Sequence, residues 1–143
     1  MEKRLLQIAV ALAGLVPVGA GLAGALWGPV MLNQIGDAVL DSHYRYLSGL
    51  LLGVGLAFWS AIPNIERRDE RFTLLTLIVV TGGFFRAIGM LMDGSPGPAM
   101  TGALIVELVV APVIYLWQLR VARDASGAAS IDAPKMDVGP AAR

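Results

Sequence analysis

Four stretches of the chain are apolar for long enough to cross a bilayer, and short polar segments separate them. At a rise of about 1.5 Å per residue, some twenty helical residues cover the ~30 Å hydrocarbon core. Residues 5–27 carry no charged side chain, and residues 44–62, 73–92 and 100–119 carry one each, Arg45, Arg86 and Glu107. The pattern predicts an all-α fold, a four-helix transmembrane bundle. A secretory leader competes for residues 5–27, with Ala23-Gly24-Ala25 as its cleavage site. The apolar run exceeds the roughly 7–15 residues of such a leader, so the spanning reading is preferred.

The segments between the spans have their own patterns. Residues 30–42 are too short and polar to cross, but Met31, Leu32, Ile35 and Val39 recur at helical spacing opposite Asn33, Gln34, Asp37 and Asp41. This predicts a short amphipathic interfacial helix between helices one and two, with Asp41 or Ser42 capping the next helix. Residues 65–72 hold Glu66, Arg67, Arg68, Asp69, Glu70 and Arg71 and read as a mixed-sign polar loop. Ser95-Pro96-Gly97-Pro98 reads as a tight turn. The transmembrane domain is expected over residues 4–120. Residues 121–143, rich in Ala, Gly, Ser, Asp and Pro, are expected to form a disordered cytoplasmic tail.

Composition agrees with a membrane protein: 56% of residues are hydrophobic and 15% charged, and the mean hydropathy is +0.67. The formal charge is zero, yet the basic residues are not spread evenly. With four spans, Lys3, Arg4, Arg67, Arg68, Arg71, Arg120 and Arg123 fall on one side and Arg45 on the other, which places both termini in the cytoplasm. The absence of cysteine excludes disulfides, thiolate metal sites and catalytic thiols. A single histidine excludes a bis-His haem or a multi-His zinc site within one chain. No metal or other cofactor is expected.

Small residues mark faces along which helices approach closely. Gln7, Ala11, Gly14, Gly21, Ala25 and Gly28 follow the helical period in the first span. In the second, Gly49 and Gly53 form a GxxxG, which suits either packing inside the bundle or a homodimer seam. In the third, Gly82, Arg86, Gly89 and Asp93 share a face, so the arginine is expected to emerge from a glycine groove; in the fourth, Ala103, Glu107 and Ala111 do. Trp27, Tyr44, Tyr46 and Trp117 lie near the rims, where an aromatic belt accounts for them.

Arg86 and Glu107 are the ionisable residues inside the last two spans, and both sit roughly 10 Å below the outer rim. A charge at bilayer depth costs about 2.5–3.5 kcal/mol on insertion scales, so each is the natural partner of the other. The pair is either a structural lock or part of a site. His43 and Arg45 enter helix two on the same side. Together with Arg86 and Glu107 they could line an outward-opening polar pocket in which a guanidinium grips an anionic head group and a carboxylate accepts a proton or cation. The plainer readings are an arginine snorkelling to head groups and an ordinary interfacial histidine.

Residues 41–49 (DSHYRYLSG), 82–86 (GGFFR) and 107–112 (ELVVAP) resemble a small bacterial membrane family catalogued as domain of unknown function 4345. The resemblance covers roughly residues 4–120. It implies a four-helix inner-membrane protein without assigned activity, and it adds Asp41, His43 and Arg45 to Arg86 and Glu107 as residues of interest. In architecture alone the chain is also similar to DoxX-like proteins, some of which are linked to quinone or thiol redox systems.

Three functions fit: binding of a lipid, quinone or other amphipathic molecule in the outer half of the bundle; a structural or accessory subunit of a membrane complex; and a proton-coupled carrier. Enzymatic chemistry is not favoured, since no nucleophile, base and orienter stand together. The expected partners are membrane lipids, an amphipathic small molecule, and a second copy or larger complex, but not nucleic acid. The charge distribution makes one prediction. With single cysteines at Arg68 and Gly97, an impermeant thiol reagent applied outside should label position 97 and spare 68; the reverse would overturn the topology.

Overall fold

The computed structural model describes residues 1–32, 37–67 and 69–131, and among these all regular structure is helical. Helix α1 spans Glu2–Trp27 and carries Pro17 without interruption. A 3-10 turn, Gly28–Leu32, follows. Helix α2 is Ala38–Ala61, and a second 3-10 segment, Ile62–Arg67, leads to α3, Asp69–Asp93. The fourth span is α4, Pro98–Ile105, a π turn, Val106–Val110, and α5, Ala111–Ile131. Four helical segments are long and apolar enough to cross a membrane, which makes this a multi-pass membrane protein.

The ends of these elements differ from the sequence reading at three places. The interfacial helix expected over residues 30–42 is not a separate element among the described residues; residues 33–36 lie outside them. Asp37 caps α2 by accepting the Leu40 N–H at 2.9 Å, so α2 starts at Ala38 and residues 38–42 are its first turn, not a surface helix capped by Asp41 or Ser42. The expected polar loop over residues 65–72 is part 3-10 segment and part α3, and its apolar members Ile65 and Phe72 are fully buried. Finally, α5 continues to Ile131, so the part of the expected disordered tail up to that residue is helical, and residues 132–143 lie outside the description.

Two antiparallel hairpins result, α1 with α2 and α3 with α4–α5. In the first, the backbones meet where side chains are smallest. A Cβ at Gly21 would lie 2.5 Å from the Leu52 nitrogen and 2.8 Å from the Ser48 carbonyl oxygen. One at Gly24 would strike the Ser48 side chain, and one at Gly14 the Trp59 indole. The indole N–H donates to the Ala11 carbonyl at 3.1 Å across the same seam. Gly14 and Gly21 of the expected stripe thus serve as expected. Gly49 and Gly53 do not pack inside the bundle, the first of their two expected uses: both are exposed, with open space around them, and Ser48 and Gly55 are the small residues of α2 that face α1.

The hairpins join at the end that holds the N-terminus and the α2–α3 connection. Leu6, Val10, Ala61, Ile65, Phe72 and Val121 form one buried cluster there, and the Phe58 and Phe72 rings meet edge-on at 5.0 Å. The bend between α2 and α3 frees carbonyls that helix bonding would otherwise use. Two glutamines fill them: Gln7 donates to the Ile62 oxygen at 2.8 Å, and the fully buried Gln118 donates to the Ile65 oxygen at 2.9 Å. The flanking charges pair at the surface, Lys3 with Glu66 at 2.9 Å and Arg71 with the Ser60 hydroxyl at 3.0 Å.

The unequal glycines give a direct test. Gly21→Ala pushes a methyl group into backbone and should destabilise the protein by about 1–3 kcal/mol. Gly49→Ala and Gly53→Ala should be neutral or stabilising by up to about 1 kcal/mol, as alanine is the better helix former. Reversible unfolding in detergent measures both, and equal losses at positions 21 and 49 would refute the assigned seam.

Candidate functional site

Arg86 meets Glu107 because α3 can approach the fourth span at Gly83. A Cβ at that position would lie 2.7 Å from the Glu107 Cβ and 2.9 Å from Leu108 Cδ2, so a larger residue would hold the helices apart. One turn further on, Arg86 reaches across. Its Nε donates to Glu107 Oε2 at 2.8 Å and its Nη2 to Oε1 at 2.9 Å, the two-pronged geometry that guanidinium and carboxylate planes allow. The remaining nitrogen, Nη1, donates to the Met100 thioether at 3.2 Å. The Arg86 side chain is 33% exposed and the Glu107 side chain 15%, so the cation is the more accessible partner.

Glu107 stands in the π turn, where the Ala111 N–H bonds to the Val106 carbonyl rather than one residue later. Pro112 explains this local geometry. It has no N–H to offer, and its ring would crowd the carbonyl four residues earlier in an ordinary α-helix. Widening the turn relieves that crowding and keeps the backbone bonded at bilayer depth. Further along the same seam the Thr73 and Tyr115 hydroxyls bond at 3.1 Å.

The other expected site residues form a second, separate group. Arg45 donates Nε to Asp41 at 2.8 Å and Nη1 to the carbonyls of Ala25 and Leu26, both at 2.8 Å. Those carbonyls belong to the last turn of α1, where no further helical N–H follows, so the guanidinium acts as a side-chain cap on α1. Gly28, with φ +69°, makes room for it; a Cβ there would lie 2.6 Å from Asp41 Oδ1 and 2.8 Å from Arg45 Nη2. His43 is exposed and has no hydrogen-bond partner among the described residues.

Among the described residues, no hydrogen bond or ion pair joins Arg86 and Glu107 to Asp41, His43 and Arg45. The structure thus brings together two of the five expected residues in one cluster and two in another. Two shallow clefts open at the basic end, lined by Met1, Glu2, Lys3, Glu66, Val121, Asp124 and Ala125 and by Leu116, Leu119, Arg120, Arg123 and Asp124; neither includes Arg86 or Glu107. The groove of Gly82 and Gly89 expected around Arg86 is also absent, because both glycines face open space and it is Gly83 that makes the contact.

Gly83 and Met100 are the members of the site that the sequence reading passed over. Each carried a signal. Gly83 precedes Arg86 by one turn, and Met100 precedes Glu107 by two, so each shares a helical face with the charge it serves.

The matched region settles the family. The chain belongs to the family described as domain of unknown function DUF4345, whose model matches residues 5–118. Both polar clusters and the glycines that admit them fall inside that region. No curated protein and no solved structure matches the chain, so nothing in these comparisons supports the likeness to DoxX-like proteins.

If the two-pronged contact stabilises the DUF4345 hairpin, a double-mutant cycle of Arg86→Leu and Glu107→Leu should give a coupling of about 1–3 kcal/mol in reversible unfolding. The double variant should be at least as stable as the worse single one. Additive losses would mean that the pair contributes nothing as a pair.

Proposed function

We infer that this is a bacterial inner-membrane protein, both termini cytoplasmic, that binds an amphipathic molecule with its polar head at Arg86. The carrying observation is the uneven use of that guanidinium. Two nitrogens are held by a carboxylate, while the third has, among the described residues, only a thioether, a weak acceptor. An oxygen acceptor in place of the sulfur would gain a charge-assisted hydrogen bond in a low-dielectric setting, and Glu107 holds the guanidinium in orientation for it.

Depth narrows the choice of head group. Arg86 lies about 10 Å along α3 from its end at Asp93. Phosphodiester groups sit at the rim, whereas a quinone carbonyl or a single carboxylate can sink below it. A quinone or fatty-acid-like molecule therefore fits better than a phospholipid head. This role keeps Arg45 and Asp41 as the cap of α1, outside the binding contact.

The accessory-subunit reading has one observation of its own. The glycine pairs Gly49 with Gly53 and Gly82 with Gly89, with open space where a Cβ would stand, leave smooth helix faces that nothing among the described residues covers. A stoichiometric partner recovered on those faces would favour it.

Native mass spectrometry of the detergent-solubilised protein with a short-tailed benzoquinone or palmitate tests the binding role. Arg86→Gln with Glu107→Gln keeps a neutral hydrogen-bonded pair but removes the charge, and should lower the bound fraction about tenfold or more. Arg45→Gln should leave it unchanged. Equal occupancy in wild type and the Arg86 variant would remove Arg86 from any such site.

A further inference from the structure

The fourth span carries a second pattern on the face turned away from Glu107. Its exposed apolar side chains are Ile105, Val109, Val113 and Leu116, at 54, 54, 58 and 63% exposure. They are spaced by three or four residues and so form one continuous stripe. The π turn lies within this run, yet exposure continues at helical spacing on both sides of it. The same face then changes character within a single turn. Leu116 and Leu119 are followed by Arg120 and Arg123, and these four residues with Asp124 line a shallow cleft of about 400 Å³.

Neither arginine is held in a close ion pair among the described residues. Arg120 makes one loose contact, 3.5 Å to Glu2, with side chains 70% and 51% exposed, a surface pair of little energetic weight. Arg123 is exposed and has no ion-pair or hydrogen-bond partner among the described residues. One guanidinium loosely paired with Glu2 and one with no partner among the described residues thus stand where an apolar stripe ends. From Ile105 to Leu116 the stripe extends about 16 Å along the helix, the length scale of an acyl chain within one leaflet.

We propose that this face is a binding site for an anionic phospholipid, its phosphate held by Arg120 and Arg123 and an acyl chain lying along Leu116, Val113, Val109 and Ile105. The chemistry is that of two guanidinium forks and a phosphate, at the depth where phosphates reside. Asp124 shares the cleft and opposes the bound charge, which sets the affinity below what the arginines alone would give. The site is at the opposite end of the span from Arg86 and does not depend on any ligand there.

The test is a native mass spectrometry titration of the full-length protein with phosphatidylglycerol and with phosphatidylcholine of identical chains. Phosphatidylglycerol adducts should exceed phosphatidylcholine adducts about tenfold. Arg120→Gln with Arg123→Gln should abolish the excess, Arg120→Lys with Arg123→Lys should keep most of it, and Asp124→Asn should raise it. Arg67→Gln with Arg71→Gln removes as much charge from the same end but on other elements, and should leave the excess in place. Equal binding of the two lipids, an excess that survives loss of both α5 arginines, or an equal loss in the 67 and 71 variant would each overturn the site. Because Asp124→Asn is expected to strengthen binding, its readout does not depend on a variant that merely unfolds.

Discussion

A carbonyl released from a helix and buried inside a packed bundle has no water to turn to, and the main features of this fold answer that constraint. The chain must bend between α2 and α3, and the bend exposes the Ile62 and Ile65 oxygens to the bundle interior. Gln7 from α1 and Gln118 from α5 donate to them, so the first and last spans are tied to the connection between the middle two. Around these two bonds the apolar cluster of Leu6, Val10, Ala61, Ile65, Phe72 and Val121 closes. At the far end of α1, Arg45 does the same for Ala25 and Leu26. Long polar side chains thus act chiefly as donors to backbone.

Arg86 differs from Gln7, Gln118 and Arg45 in donating to no backbone carbonyl: its acceptors are a carboxylate and a sulfur. That contrast separates it physically from Arg45, although both are arginines near the same end of the protein. Capping carbonyls at fixed helical positions leaves Arg45 little to gain from a ligand. The Arg86 fork is oriented by Glu107 but leaves one nitrogen against a weak and replaceable acceptor.

Much of this could be read from residues alone. Four spans follow from run length, and Arg86 opposite Glu107 follows from equal distances to a Pro-Gly turn. What could not be read is which of two adjacent small residues faces the partner helix. Gly82 and Gly83 differ by about 100° around α3, and only the packing of the fourth span chooses Gly83. Gly49 and Gly53 have the spacing of a contact motif, yet Ser48 and Gly55 make the contact. The capping role of Arg45 is hidden for a different reason. The polar residues 37–42 obscure the true start of α2, and with α2 begun at Ala38 the arginine stands about two turns into the helix, beside the end of α1. Charge density likewise hid Ile65 and Phe72, two apolar residues among six charged ones, whose burial anchors the core.

The first hairpin has an unusual self-sufficiency. Its contacts Gln7 to Ile62, Trp59 to Ala11, Arg45 to Ala25, Leu26 and Asp41, and Lys3 to Glu66 all lie within the first 67 residues. During synthesis this half can therefore enter the bilayer and close on itself while α3 is still in the ribosome. The second half supplies what the first cannot: Gln118 for the Ile65 carbonyl, and Phe72 and Val121 for the buried cluster.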